Sequence, residues 1–398
     1  MHAPSLPRRA RLAATLAFAT NGALPASLLA RYAEVKEALD VGSAVFGLLV
    51  AGYAAGGCLA VHLPGVISRW LGVRRAAAWG TVWMGAALSL AAAGAAAGSS
   101  LLVLTGLLLA GGGDAVVDVA QNSQGIRVQQ VYGRSLLNSM HAGWSVGAAV
   151  GGAAGTAAAV AGVPLEYHML IWAAVCTAAM WTAGRGFLPE PSESGTAGLT
   201  ASGTVRTPGR RAALILIPVA FVALAGFSVE DIGNNWSAVL LAGERGMPAA
   251  SAGIGLTVLL GAQFIGRLLG DRVIDRLGDR GALLLSLSAV VVGLLSAAWA
   301  PEMMLTLAGL ALAGLGCAVT VPIAFARADA VPGLPAHSGV TWISWTMRTV
   351  SIGLSPAIGA ASSAFSLPLA ITGITLIAVA ALGLHLPRRR RPDRTGQP

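Results

Sequence analysis

The sequence has little charge and few cysteines. Asp, Glu, Lys and Arg make up only 11% of the 398 residues, whereas 55% are hydrophobic and the mean hydropathy is +0.72. A soluble domain usually carries about 25% charged residues, so this composition argues against one. Cys58, Cys176 and Cys317 all lie in apolar stretches. We therefore expect small packing residues there and no disulfide framework.

The chain also lacks the local patterns of catalytic sites. It has no Walker-type phosphate loop, no cluster of metal ligands and no nucleophile spaced with a base. Its 52 glycines include the run at 147–155, and inside apolar helices such small residues let backbones pack closely. We expect neither an enzyme nor an ATP-driven pump, and no cofactor or metal.

What the sequence does contain is a succession of apolar stretches of membrane-spanning length. A helix needs about 20 residues to cross a hydrocarbon core of about 30 Å. Strand-like alternation is absent, so all of them are predicted to be helices. The twelve predicted spans are 11–31, 44–65, 75–97, 100–121, 136–160, 167–187, 212–241, 250–269, 281–299, 303–326, 339–361 and 367–386. The predicted fold is an all-α membrane protein with twelve transmembrane helices.

A polar segment and a weak repeat divide the chain into two halves. Residues 189–211 are rich in Ser, Thr, Gly and Pro, which predicts a flexible linker. The predicted units are a six-helix bundle at 1–188, the linker, a second bundle at 212–387 and a basic tail at 388–398. RWLGVR at 69–74 and DRLGDR at 275–280 follow the second and eighth spans, which favours a duplication.

The net charge of +9 is distributed by loop. The basic loops contain the arginines within 8–11, 69–75, 127–134, 185–211, 267–280, 327 and 388–391. The alternate loops contain only Arg31, Lys36 and Arg245. This asymmetry follows the positive-inside rule and predicts that both termini are cytoplasmic. It indicates a lipid bilayer as the partner and no nucleic acid.

Two six-span halves, a long central loop and basic loops after spans two and eight resemble the major facilitator superfamily. The superfamily's loop signature is GxxxDRxGRR, and degenerate copies are GVISRWLGVRR at 65–75 and DRVIDRLGDR at 271–280. The resemblance implies transport by a monomer that alternates between two states. It also implies gating loops, for which the candidate residues are Arg69, Arg74, Asp275, Arg276 and Arg280.

Two longer stretches resemble the bacterial inner-membrane group of YbjJ type, related to fucose-permease-like sugar transporters. They are 118–151, which begins DVAQNSQ, and 230–241, EDIGNNWSAVLL. This sequence has Gln129 and Asn235 at two positions where the group carries acids. The resemblance implies location in the bacterial inner membrane and a sugar-like solute.

The stretch GGGDAVVDVAQNSQ at 111–124 places polar groups inside an apolar span. Asp114 and Asp118 share one helical face, with Gln121 and Asn122 on its next turn. Two carboxylates in so poorly hydrated a place should not both ionise readily, so Asp114 is expected to bind a proton reversibly, or else to be a static hydrogen-bonded acid. Asp118 lies nearer the cytoplasmic end, where an ion pair with Arg69 or Arg74 is the simpler interpretation.

Further polar residues are expected near the middle and outer third of the membrane. Helical spacing pairs Glu230 with Asn234 and Asp231 with Asn235, so one pair can face a cavity while the other packs near a bend. The alternative is a long span with a wet end. Arg348 can bind a substrate carboxylate or neutralise an acid such as Asp114.

We therefore expect a secondary transporter, most simply proton-coupled, that moves a sugar or polyol by alternating access. Efflux of a small organic compound and a non-transporting receptor or scaffold are the alternatives. The proton-coupling candidates are Asp114, Asp118, Glu230, Asp231 and His141, the last being either a relay or a packing residue. The substrate-binding candidates are Asn21, Gln121, Asn122, Asn234, Asn235, Trp236, Gln263, Trp345 and Arg348.

Overall fold

The computed structural model describes residues 5–133, 136–189, 210–332 and 338–386, and the regular structure within these ranges is helical. The helices of the first half are α1 Ser5–Leu29, α2 Tyr32–Leu39, α3 Ser43–Leu59, α4 Leu63–Leu71, α5 Val73–Ala96, α6 Ser100–Tyr132, α7 Leu137–Val160 and α8 Leu165–Gly184. Those of the second half are α9 Arg210–Asp231, α10 Ser237–Arg245, α11 Ala249–Ala252, α12 Ile254–Trp299, α13 Met303–Cys317, α14 Thr320–Asp329, α15 Ser338–Ala364 and α16 Leu367–His385.

These helices account for the twelve predicted spans. Eight helical stretches of the described residues are long and apolar enough to cross a membrane, and α3 with α4 forms a ninth that is bent by 59°. Helices α7, α8 and α15 are also long enough, with 24, 20 and 27 residues. The prediction of an all-α membrane protein with twelve transmembrane spans is confirmed. Residues 190–209 of the predicted linker and the tail beyond 386 lie outside the described residues, so the domain limits stay predictions.

Two predicted helix ends were wrong. Helix α6 continues to Tyr132 rather than ending at 121, and α12 continues past residue 269 to a break at Gly278. Beyond the hydrocarbon a helix needs no apolar side chains, because its own backbone hydrogen bonds satisfy it. Arg127, which was counted with the basic loops, therefore lies inside α6. Arg267 was counted with them too, although the predicted span 250–269 already included it, and it lies inside α12.

The repeated loop motif has the same backbone conformation at its glycine in both halves. Gly72 has φ 76° and ψ 154°, and Gly278, at the matching place of the second copy, has φ 69° and ψ 164°. A side chain is strained at such positive φ values, so only glycine adopts this turn readily. The shared conformation supports two halves built on one plan.

The two halves meet at the end of the bundle where α3 begins and α15 ends, which we call the far side. The opposite end, where α1 begins and α16 ends, is called the terminus side. A Cβ added to Gly47 would lie 2.5 Å from the Ser355 carbonyl oxygen, and one on Gly359 would collide with that of Ser43. Only glycine permits helices α3 and α15 to approach this closely.

Aromatic rings and a hydrogen bond complete the far-side contact. The rings of Tyr32, Phe46 and Trp236 pack edge to face in sequence, with centroid separations of 5.5 and 5.7 Å. The amide of Ala44 donates to Ser363 Oγ at 2.8 Å. Tyr32 and Phe46 belong to the first half, and Trp236 belongs to the second. The far side is therefore closed in this conformation.

We expect a valine at Gly359 to open the far side, because its side chain would collide with α3. Overpacking typically costs about 1–3 kcal/mol, enough to change which conformation dominates. Spin labels at Glu37 and Phe365, which are both exposed, should move apart in Gly359→Val.

Gly353→Val on the same helix is the control, since a Cβ there meets nothing within 4 Å. Equal label separations in wild type and Gly359→Val, or an equal increase in both variants, would contradict the role assigned to this contact.

Candidate solute and proton site

Asp114 lies half-buried on α6 and is held by two neutral donors. Asn21 of α1 donates from Nδ2 to Asp114 Oδ1 at 3.1 Å, and the Tyr53 phenol of α3 also hydrogen-bonds to the carboxylate. A glycine three residues earlier allows the contact, because a Cβ on Gly111 would collide with the Tyr53 carbonyl oxygen. The structure thus brings together an acid, an amide and a phenol from three helices.

Asp118 is satisfied mainly by amides of its own helix. Asn122 Nδ2 donates to Asp118 Oδ1 at 2.9 Å, and Gln121 Nε2 donates to the same atom at 3.4 Å. Within the described part of the chain, no basic group lies within 4 Å of this carboxylate. The predicted pairing with Arg69 or Arg74 is not formed in this conformation and stays a prediction for the state that is closed on the terminus side.

Glu230 accepts hydrogen bonds from α12. Gln263 Nε2 donates to Glu230 Oε1 at 2.6 Å, and the Arg267 guanidinium donates to the same oxygen at 3.2 Å. Arg267 also donates to Ser145 Oγ of α7. Since Ser145 belongs to the first half, this guanidinium joins the two halves at the level of the acid. Both charged side chains are about one-third exposed, at 32% for Glu230 and 30% for Arg267.

Asp231, the next residue, has the opposite environment. It is 7% exposed, and it accepts from Ser355 Oγ at 2.8 Å and Asn235 Nδ2 at 3.0 Å. Trp236 Nε1 donates to the same Ser355 hydroxyl at 3.2 Å. The helix makes a π turn over Ile232–Trp236, which turns Asn235 and Trp236 toward α15. The Asp231 cluster therefore packs the helices together, whereas Glu230 lies on the more open face with half-buried Asn234.

Arg348 of α15 is exposed, and none of the described acids lies within 4 Å of its guanidinium. It is close enough to Asp114 and Asp118 to act on both electrostatically. Trp345, one turn away, is 58% exposed. In this conformation Arg348 has an unpaired charge near the acids of α6, and the predicted ion pair with Asp114 is not formed.

His141 and the loop residues lie around this centre. The exposed His141 ring packs on Phe18 with centroids 4.7 Å apart, within electrostatic range of Asp118 and Arg267. Arg74 lies against the end of α8, and Arg280 donates to the His385 carbonyl at 3.0 Å. The remaining gating candidates lie toward the terminus side: Arg69 on α4, and Asp275 and Arg276 on α12.

Four contributing residues were missed from the sequence: Tyr53, Ser145, Arg267 and Ser355. Arg267 had a usable signal, since it lies four residues after Gln263 and a helix places both on one face. Tyr53 is a lone polar group in an apolar span. The two serines gave no signal, because an isolated serine in a membrane helix commonly bonds to its own backbone.

Comparison with known proteins agrees with this architecture. Residues 12–356 match the family model described as the Major Facilitator Superfamily. The chain is 30% identical to the uncharacterized transporter y4wD of Sinorhizobium fredii, over 85% of this chain and 88% of that protein. It is 25% identical to the membrane protein MosC of Rhizobium meliloti, over 96% and 90% of the two chains.

Solved structures show the same fold. A point mutant of the nucleoside transporter NupG superposes with a TM-score of 0.75 at 14% identity, over 96% of this chain and 99% of that one. A bacterial homologue of the human lysosomal transporter Spinster, in an inward-facing and unoccupied conformation, gives a TM-score of 0.70 at 14% identity, over 96% and 97% of the chains.

The chain belongs to the Major Facilitator Superfamily. It is a multi-pass membrane protein of a transporter family, and not an enzyme.

Ser355→Ala should destabilise the protein, because it removes a donor from buried Asp231 and the acceptor of Trp236. Leaving buried polar groups unpaired costs about 1–3 kcal/mol, so the thermal unfolding midpoint in detergent should fall.

Ser351→Ala, one turn earlier, is the control, since among the described residues that hydroxyl bonds only to the Arg348 carbonyl of its own helix. If the two variants melt alike, the Asp231 cluster does not stabilise the fold as described.

Proposed function

We propose that the protein is a proton-coupled secondary transporter that moves a small polar solute by alternating access. Its terminus side faces the cytoplasm of a bacterial cell, and it resides in the inner membrane as a monomer. A sugar or polyol is the leading substrate class, consistent with the proposed relationship to the YbjJ-type group. The observation that carries the proposal is the environment of Asp114.

An ionised acid near the middle of a bilayer is expensive, at about 2.5–3.5 kcal/mol on insertion scales, unless it is paired or hydrated. Asp114 has neutral partners, the Asn21 amide and the Tyr53 phenol. No guanidinium lies within 4 Å of it in the described residues. The negative charge of Asp114 is therefore only partly compensated. Binding and release of a proton cost less free energy here than they would for an acid paired with a cation.

The closed far side supports alternating access. With α3 and α15 packed together at that end, a solute reaches the site from the terminus side. The Arg267 guanidinium contacts Glu230 in one half and Ser145 in the other. When the halves rock to the opposite state, this contact has to change. Glu230 is thus the proton candidate in the second half, with Arg267 as its partner.

A carboxylated solute is the second candidate, favoured by Arg348. The guanidinium is exposed and has no acid within 4 Å among the described residues, and its planar fork matches a carboxylate. The polar amides nearby, such as Gln121 and Asn122, suit hydroxyl groups in either class. Efflux of a small organic compound and a non-transporting receptor remain the alternatives to uptake.

Asp114→Asn should abolish proton movement while retaining solute exchange, because the amide preserves size and hydrogen bonding but cannot carry the proton. The measurement is solute-driven proton flux in proteoliposomes, beside exchange of the same solute, across a panel of sugars, polyols, nucleosides and organic acids.

Asp279→Asn is the control, since that acid is exposed on the terminus side. Equal proton flux in Asp114→Asn and wild type would exclude coupling through Asp114. Exchange without proton flux in the wild type would make the protein an uncoupled carrier, and a silent panel would favour the receptor alternative.

Arg348→Gln separates the two substrate classes. Matched pairs that differ in one carboxylate, such as gluconate and sorbitol, are compared for binding. If the solute is an acid, the substitution should weaken its binding about tenfold or more, since a hydrogen bond to a charged group contributes about 1.5–3 kcal/mol.

Thr346→Ala, on the opposite face of α15, is the control, because its hydroxyl bonds to the Trp342 carbonyl of its own helix. If the protein binds the neutral compound of a pair, such as sorbitol, and Arg348→Gln leaves that binding unchanged, the result supports the sugar or polyol class instead.

A further inference from the structure

Three amides of the site share one arrangement. Each donates its NH₂ group to an acid: Asn21 to Asp114 at 3.1 Å, Gln121 to Asp118 at 3.4 Å and Gln263 to Glu230 at 2.6 Å. In each case the carbonyl oxygen of the same amide is buried and has no hydrogen-bond donor among the described residues. Buried polar atoms are nearly always paired, so a threefold repetition requires an explanation.

The orientation of each amide follows from the charge of its acid. An ionised carboxylate can only accept hydrogen bonds, so the amide must turn its NH₂ group toward it. The side-chain carbonyl oxygen of the amide then points away from the carboxylate or lies beside another of its acceptor oxygens. In either position it has no protein donor among the described residues. An unpaired buried acceptor costs free energy. The ionised state of each acid is therefore linked to an unsatisfied atom on its partner.

Protonation removes this mismatch. A carboxylic acid has an O–H donor as well as a carbonyl acceptor. Beside a primary amide it can form two hydrogen bonds in a ring, with N–H donating to the acid and O–H donating to the amide. The proton comes from a hydronium ion of the solvent: one of its O–H bonds breaks, leaving water, and a new O–H bond forms at a lone pair of the carboxylate. The acid becomes neutral.

Asp231 provides the contrast within the same protein. Like the other acids it accepts from an amide, that of Asn235, and from a second donor, here the Ser355 hydroxyl. The Asn235 amide is bonded to Ser355 as well, at 3.1 Å, and it leaves no buried carbonyl unpartnered among the described residues. The arrangement therefore separates Asp231, whose partner amide leaves no buried carbonyl unpaired in the described part of the chain, from the other three acids.

We propose that Asn21, Gln121 and Gln263 are proton-positioning residues, whose side-chain carbonyls accept the hydrogen bond of the protonated acid. The inference rests on the proposed function, which it deepens by naming the group that receives each proton.

The Asn21–Asp114 pair is the simplest of the three to test, because the direct partners of Asp114 are neutral. Asp118 has a second amide donor in Asn122, and it faces His141 and Arg348. Glu230 is held by Arg267.

Infrared difference spectroscopy of the reconstituted full-length protein tests the Asn21–Asp114 pair. The chain has five asparagines, so labelling their side-chain carbonyls with ¹³C isolates a small set of bands. Spectra are recorded between high and low pH. Asp114→Asn identifies the carboxyl band of Asp114, and Asn21→Ala identifies the labelled band of Asn21.

The direction of the Asn21 shift decides the question. If its carbonyl accepts the new O–H bond, the labelled band moves to lower wavenumber as Asp114 protonates. If Asn21 only donates to the carboxylate, that bond weakens on protonation and the band moves to higher wavenumber or stays in place, which overturns the inference and leaves Asp114-dependent proton flux intact. If no carboxyl band disappears in Asp114→Asn, Asp114 does not protonate, and both the inference and its role in coupling fail.

Discussion

The structure depends on one constraint: a polar group inside a hydrocarbon layer has to find its partner within the protein. The acids of α6 and α9 meet this constraint mostly with neutral amides and hydroxyls. Only Glu230 is matched by a guanidinium within 4 Å in the described residues. Neutral donors stabilise a carboxylate less than a full counter-ion does. The centre is thus held together by bonds that tolerate a change of charge.

Neighbouring acids show how local backbone geometry assigns roles. Glu230 and Asp231 are adjacent in sequence, yet one is about one-third exposed and the other is buried. The π turn over Ile232–Trp236 inserts an extra residue into the helical register, a feature that often marks functional sites. Because of this turn, the Asp231 cluster hydrogen-bonds α9 to α15 while Glu230 stays on the more exposed face of the helix.

Much of the fold could be predicted from the sequence, because span length, loop charge and the central polar segment are local properties. The helix limits could not be predicted, because the apolar character of the sequence ends at the membrane surface. Backbone hydrogen bonding continues beyond it and carries α6 to Tyr132 and α12 past residue 269. For the site, the acids were visible as charges in apolar spans. Their partners were not, since the pairing of Asn21 with Asp114 depends on how α1 packs against α6, which no spacing within either helix encodes.

Arg267 links the charge of Glu230 to the contact between the two halves. Its guanidinium contacts an acid of its own half and a hydroxyl of the other half. The bond to Glu230 is the stronger one, because it joins opposite charges. A hydrogen bond to serine alone holds an arginine far less firmly in a poorly hydrated place. The strength of the contact between the halves at Arg267 therefore depends on the charge of Glu230. Any event that changes this charge also changes the contact that has to break when the two halves move.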